Sequence, residues 1–103
     1  MIIFNTTYCI DSTIHDECLM WLKEELIPIA IHSGEVYLST LARIYSQEDG
    51  DNGVNYSLQF KVENVDVLQE WFETTGDMLH SALTRRFGEQ VLTFTTLMEE
   101  VEL

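Results

Sequence analysis

Basic residues are scarce in this chain. Five Lys and Arg stand against eighteen Asp and Glu over 103 residues, a formal net charge of −13. The five are Lys23, Arg43, Lys61, Arg85 and Arg86, and only the last two are adjacent. Neutralising a phosphate backbone takes clustered Lys and Arg, so no nucleic acid partner is expected. Anionic membrane surfaces are disfavoured on the same ground. Long apolar runs are also absent, and none nears the ~18 residues of a membrane span. The opening Met1-Ile2-Ile3-Phe4-Asn5-Thr6-Thr7 lacks the basic start of a secretory leader, and its apolar stretch is too short for one. We therefore expect a cytoplasmic protein whose Cys9 and Cys18 are reduced thiols. Asn5-Thr6-Thr7 and Asn55-Tyr56-Ser57 then match the glycosylation pattern by chance. Cys9, His15, Cys18 and His32 fit no zinc-ligand spacing, so neither a metal nor a cofactor is expected. Asp49-Gly50-Asp51-Asn52-Gly53 hints at calcium but lacks the bidentate Glu that closes an EF-hand loop, and turn chemistry suffices.

What is present is a core. Apolar residues make up 46% of the chain, aromatics 11% and charged residues 22%, which places it among globular proteins. The length suits one domain over residues 1–103.

Residues 2–10 alternate and are rich in Ile, Phe, Thr and Tyr, as a strand requires. Thr13 is a candidate helix cap with Asp16 three residues on. Ile14, Cys18, Trp21, Leu22 and Leu26 follow at helical spacing. Pro28 is expected to end or kink that helix, with a further turn to His32-Ser33 and Gly34 as its stop. Residues 35–46 read as a second strand, 47–53 as a hairpin turn carrying Asp-Gly and Asn-Gly, and 54–63 as a third strand. Val54, Tyr56, Leu58, Phe60 and Val62 share one face of it. A second helix is expected from Asn64–Asp66, with Val65, Leu68, Trp71 and Phe72 inward. Thr74-Thr75-Gly76-Asp77 is expected to interrupt it, with Asp77 capping a second half. Arg85 and Arg86 suit its C-terminal dipole, and Gly88 stops it. Residues 90–98 form the last strand. This order predicts an α+β ferredoxin-like fold, βαββαβ, with an antiparallel sheet in the order 4-1-3-2 and both helices on one face.

The opposite sheet face would then be bare. A hairpin centred near residue 50 or 51 puts Val36, Leu38, Ala42 and Ile44 toward the helices. Tyr37, Ser39, Leu41, Arg43 and Tyr45 fall on the bare face, beside Ile3, Asn5, Thr7 and Cys9, with Arg43 opposite Ser57 or Gln59. In the last strand the row Val91, Thr93, Thr95 and Leu97 is assigned there too. Such a face is too apolar to stay wet and too polar for a dry core. The expected solution is a homodimer packed sheet against sheet about a two-fold axis, with a semi-polar chamber between. Extension of the sheet through an edge strand would give a different dimer.

The whole chain resembles domain-of-unknown-function family four-two-eight-six, a family of short bacterial proteins. Met1-Ile2-Ile3-Phe4-Asn5, the helix start from Asp11 to Trp21, Ile27-Pro28 and Ser33-Gly34 carry the likeness. So do Tyr56-Ser57-Leu58-Gln59-Phe60, Arg86-Phe87-Gly88 and Phe94-Thr95-Thr96-Leu97. That family is similar to the dimeric α/β-barrel superfamily, which includes antibiotic-biosynthesis monooxygenases, muconolactone isomerases and haem-degrading enzymes. The resemblance implies the fold and the dimer and brings no activity with it. Family members often carry a His before the Ile-Pro pair, where this chain has Leu26.

Asn5, Arg43, Gln59 and Tyr37 are the candidate ligand-binding residues. Arg43 can anchor a carboxylate or enolate through bidentate hydrogen bonds, or pair with an acid of the partner subunit. Asn5 and Gln59 can flank it, or form a network that fixes dimer register. His15, His32 and His80 suit surface or capping roles, each with a general-base alternative. Trp21 and Trp71 fall on apolar stripes and read as core, with a ligand wall as the alternative. No residue set specifies catalysis. The leading reading is a homodimeric module that binds a small molecule or a protein without catalysis. The alternative is a cofactor-independent enzyme, monooxygenase- or isomerase-like, acting on a small hydrophobic or aromatic substrate. A purely structural dimer stays open beside them.

Overall fold

The computed structural model describes residues 1–45 and 53–103. The expected turn, and the calcium reading of it, fall outside these residues except at Gly53. The chain runs as β1 (Ile2–Asp11), a single turn (Ser12–Ile14), helix α1 over 15–31, β2 (Val36–Ile44) and β3 (Gly53–Val62). Helix α2 over 65–87, a second single turn (Gly88–Gln90) and β4 (Val91–Glu99) complete it. The four strands form one antiparallel sheet in the order β2-β3-β1-β4, the expected order read from its other edge.

Both helices contain one widened π-turn, Leu22–Leu26 in α1 and Phe72–Gly76 in α2. The π-turn is how α1 passes Pro28 instead of ending there. The Ile27 N–H reaches back to the Leu22 carbonyl, and Pro28 then sits in the first turn of Ile27–Ile31, where its missing N–H costs nothing. In α2 the Asp77 N–H likewise reaches Phe72, so the Thr74–Asp77 segment widens the helix rather than breaking it. Asp77 caps nothing.

At the helix starts, Asn64 accepts the Val67 N–H at 2.9 Å, as an N-cap should. Thr13 is not a cap. Its own N–H and hydroxyl donate to Asp11 at 2.9 and 2.8 Å, which holds the Ser12–Ile14 turn, and α1 starts without a side-chain cap. Gly34 (φ 81°) and Gly88 (φ 56°) leave the helices in the positive-φ region, as expected of stops.

Cys18, Trp21, Leu22, Leu26 and Ala30 of α1 and Leu68, Trp71, Leu79, Leu83 and Phe87 of α2 close on one sheet face. That face supplies Phe4, Tyr8, Ile10, Leu58, Phe60 and Val62. The Cα trace measures 38 × 34 × 19 Å, and its thin dimension is that of one helix layer over one sheet.

Two registers differ from expectation. A β-bulge between Leu38 and Thr40 shifts β2 against β3, so Leu41 pairs with Leu58 and Arg43 with Tyr56. One extra residue moves every later side chain to the other face. Leu41 and Arg43 therefore lie on the helix side, and Ala42 and Ile44 on the bare side, the reverse of the sequence expectation. In β4, Leu97 pairs with Phe4 and Thr95 with Thr6. The row Val91, Thr93, Thr95 and Leu97 thus lies under α2, and Leu92, Phe94, Thr96 and Met98 form the bare face.

Candidate functional site

The β4 register has a consequence for packing. Thr6 and Thr95 form a cross-strand pair, as do Tyr8 and Thr93, all facing α2. Threonines are short, and the rings above them are held elsewhere. Trp71 donates its indole N–H to the Ala30 carbonyl at 2.9 Å, which ties α2 to α1. Phe4 meets Trp71 and Phe72 edge-on at 5.9 and 6.0 Å. The sheet and helix cannot fill the remaining space. It forms a cavity of about 180 Å³ between α2 and the β1–β4 half of the sheet. It opens to solvent past exposed Phe72, Asp77, His80 and Thr95, and a cavity of about 150 Å³ in another protein admits benzene.

Its walls combine two chemistries. Phe4, Phe60, Trp71, Phe72, Leu79 and Leu83 are apolar, while Thr6, Tyr8, Thr93 and Thr95 line it with hydroxyl-bearing side chains. Burial pushes the Tyr8 phenol well above its ordinary range, the nearby Cys18 adds to this, and a hydrogen bond with Thr6 opposes it. Tyr8 is therefore a neutral hydroxyl at physiological pH. Burial likewise pushes the Cys18 thiol up to about 11, with Arg86 opposing and Glu17 adding, so it is no nucleophile. Asp77 and His80 line the cavity from exposed positions on α2 and mark its mouth. The π-turn places Gly76 in the wall, where an added Cβ would lie 2.7 Å from the Trp71 ring.

Of the sequence candidates, Asn5, Gln59 and Tyr37 share the bare sheet face. Asn5 pairs with Gln59 across β1 and β3, and Tyr37 pairs with Lys61. Asn5 is only 8% exposed. It accepts the Ser57 hydroxyl at 2.5 Å and donates to the Thr7 hydroxyl at 3.3 Å. Arg43 does not join them. It lies on the other side of the sheet, its guanidinium 5.1 Å from the Tyr45 ring centre. Cys9 on the bare face and buried Cys18 under α1 are separated by the sheet.

His15 is engaged. Its Nε2 lies 2.7 Å from the Tyr56 hydroxyl, its ring stacks on Tyr56 at 5.6 Å, and its Nδ1 lies 3.1 Å from Asp16. A proton on Nδ1 shared with Asp16 leaves Nε2 to accept from Tyr56. His32 lines an outer groove with Pro28, Ile29 and Met78.

The sequence reading missed the cavity because it placed Thr93 and Thr95 on the wrong face. Val91 was the available signal. It follows Phe87 and Gly88 closely, so a core role for Phe87 draws Val91 and its row under the helix.

The model of the domain of unknown function DUF4286 matches residues 1–101. The chain belongs to this family. No curated protein matches it. Among solved structures, an uncharacterised NIPSNAP domain protein from Burkholderia xenovorans is similar to this DUF4286 chain with a TM-score of 0.69. The two are 16% identical over 98% of this chain and 95% of the other. An ethyl tert-butyl ether D (EthD) family protein from Bacillus halodurans C-125 also has a TM-score of 0.69, at 12% identity, over 98% of this chain and 100% of the other. At these identities the likeness establishes a shared ferredoxin-like fold. No helix among the described residues of the DUF4286 chain is long and apolar enough to cross a membrane.

Proposed function

We propose that this DUF4286 protein binds a small, largely apolar molecule in the cavity beneath α2 and works as a homodimer in the cytoplasm. The cavity carries the first part. Its volume of about 180 Å³, with aromatic rings on one wall and hydroxyls on another, suits a small ligand entering from solvent. The apolar wall offers burial, and the hydroxyls fix orientation.

The bare sheet face supports the second part. Within residues 3–9, 37–44, 55–61 and 92–98, the strand positions on that face carry one charge, Lys61, bound to Glu100 at 2.9 Å. A chain of net charge −13 thus keeps one face nearly free of acid, where two copies can meet without repulsion. Its margins are apolar. Leu92 and Phe94 of β4 are 57% and 60% exposed, and Tyr37 of β2 is 50% exposed. A two-fold axis lying in the plane between two such faces brings them together as a self-complementary pair. Asn5, Gln59 and Tyr37 then belong to the interface or to a chamber within it. Two free thiols suit a reducing compartment.

The enzyme reading rests on His80, the imidazole that lines the cavity. A cofactor-independent isomerase or oxygenase would use it to move a proton.

Thermal denaturation against a panel of one-ring compounds tests the binding reading. A ligand at about ten times its dissociation constant adds about 1.4 kcal/mol, or about 5–10 °C for a domain of this size. The Thr93→Phe variant, which fills the cavity, removes that shift. No shift across the panel, or one retained in Thr93→Phe, contradicts the proposal.

A further inference from the structure

We infer that the cavity selects molecules with an ammonium group on an apolar body of about one ring, in preference to carboxylates of the same shape. This inference rests on the cavity being a ligand site. Its lining includes the Asp77 carboxylate, the His80 imidazole and no Lys or Arg. Of the five cations in the sequence, Arg43 lies at the far β2 edge of the sheet, Lys61 binds Glu100 on the bare face, and Arg86 reaches Glu17 and Glu25 of α1. None of the five lines the cavity, so a carboxylate entering it would find no Lys or Arg there, and the His80 imidazole at the mouth already has the Asp77 carboxylate beside it in the lining.

A cation meets the opposite situation. Phe4, Phe60, Trp71 and Phe72 supply aromatic rings, whose faces attract positive charge. Asp77 is exposed at the mouth, so an ammonium beside it keeps part of its water while the apolar body enters. The hydroxyls of Thr93 and Thr95 can accept its hydrogen bonds. The net charge of −13 raises the local concentration of cations around the whole molecule.

Isothermal titration with benzylamine, benzyl alcohol and benzoate at low ionic strength tests this on the wild-type chain. Benzylamine is expected to bind about tenfold tighter than benzoate, from ring and carboxylate attraction together. Benzyl alcohol should displace it, and added salt should narrow the gap. Asp77→Asn, an isosteric change at an exposed position, should bring the two affinities together. Binding of benzyl alcohol or benzoate without an amine preference overturns this inference and leaves the cavity reading standing. Amine binding that benzyl alcohol does not displace marks attraction to the acidic surface and also overturns it. Binding of none of the three overturns the cavity reading itself.

Discussion

Gly76 has no room for a side chain. A Cβ there would meet Cζ3 of Trp71 at 2.7 Å, and that ring is pinned by its hydrogen bond to Ala30. Gly76→Ala gains about 1 kcal/mol of helix propensity but forces the Trp71 ring to move, at about 1–3 kcal/mol. The strain wins because the ring cannot swing freely. Urea denaturation should show a net loss of up to about 2 kcal/mol, and a higher midpoint would contradict the packing described. Asp11 gives a pH prediction. The Thr13 N–H, and then its hydroxyl, hold the Asp11 carboxyl below its ordinary value of 3.8. A folded-state value below the unfolded one contributes stability above the ordinary range that is lost as pH falls through the folded value. The stability difference between wild type and Asp11→Ala should therefore shrink between neutral pH and roughly pH 3. A difference constant with pH would contradict the capping role. In the sequence Asp11 merely follows the strand read over residues 2–10, because a cap shared by backbone and hydroxyl depends on the turn that brings Thr13 back.

The elements were largely legible, and the exceptions have local causes. β3 alternates cleanly from Val54 to Val62, and its register with β1 follows without irregularity. β2 does not alternate. Its helix-side positions are Val36, Leu38 and Leu41, a spacing that closes only if one residue bulges out, and the register shift between Leu38 and Thr40 provides that. This moved Arg43 off the bare face. Strict alternation has no way to express it, though the Leu38-to-Leu41 spacing was a visible sign. Arg43→Ala should therefore leave the affinity of any cavity ligand within about twofold of wild type, as expected of a remote surface change. A large loss in the titration would return Arg43 to the site. The π-turns were half legible. Pro28 and Gly76 signalled disturbance, but a widened turn and a break look alike in sequence. Trp21 and Trp71 each stand one residue before a π-turn, in corresponding helices of the two βαβ halves. That correspondence emerges only once both helices are seen to be continuous.

At the scale of the whole molecule, the composition already implied one core and one surplus face. The identity of that surplus face changed when β4 was placed. Its bare row is Leu92, Phe94, Thr96 and Met98, more apolar than the threonine row the sequence suggested. That row suits a dimer better than the threonines would, and the threonines on the helix side leave the space for the cavity. Sedimentation equilibrium should find a dimer at micromolar concentration, and Phe94→Glu should give a folded monomer by placing an unpaired acid on the apolar margin of the face. A wild-type monomer would contradict the dimer and leave the cavity untouched. The central claim is that the space beneath α2 receives a ligand. The most direct measurement is a two-dimensional ¹H–¹⁵N titration of the wild-type chain with benzyl alcohol. The account predicts saturable shifts centred on Thr6, Thr93, Thr95, Leu79 and His80, with the bare face silent. Shifts centred on Asn5, Gln59 and Phe94 instead, or no saturable shifts at all, would contradict it.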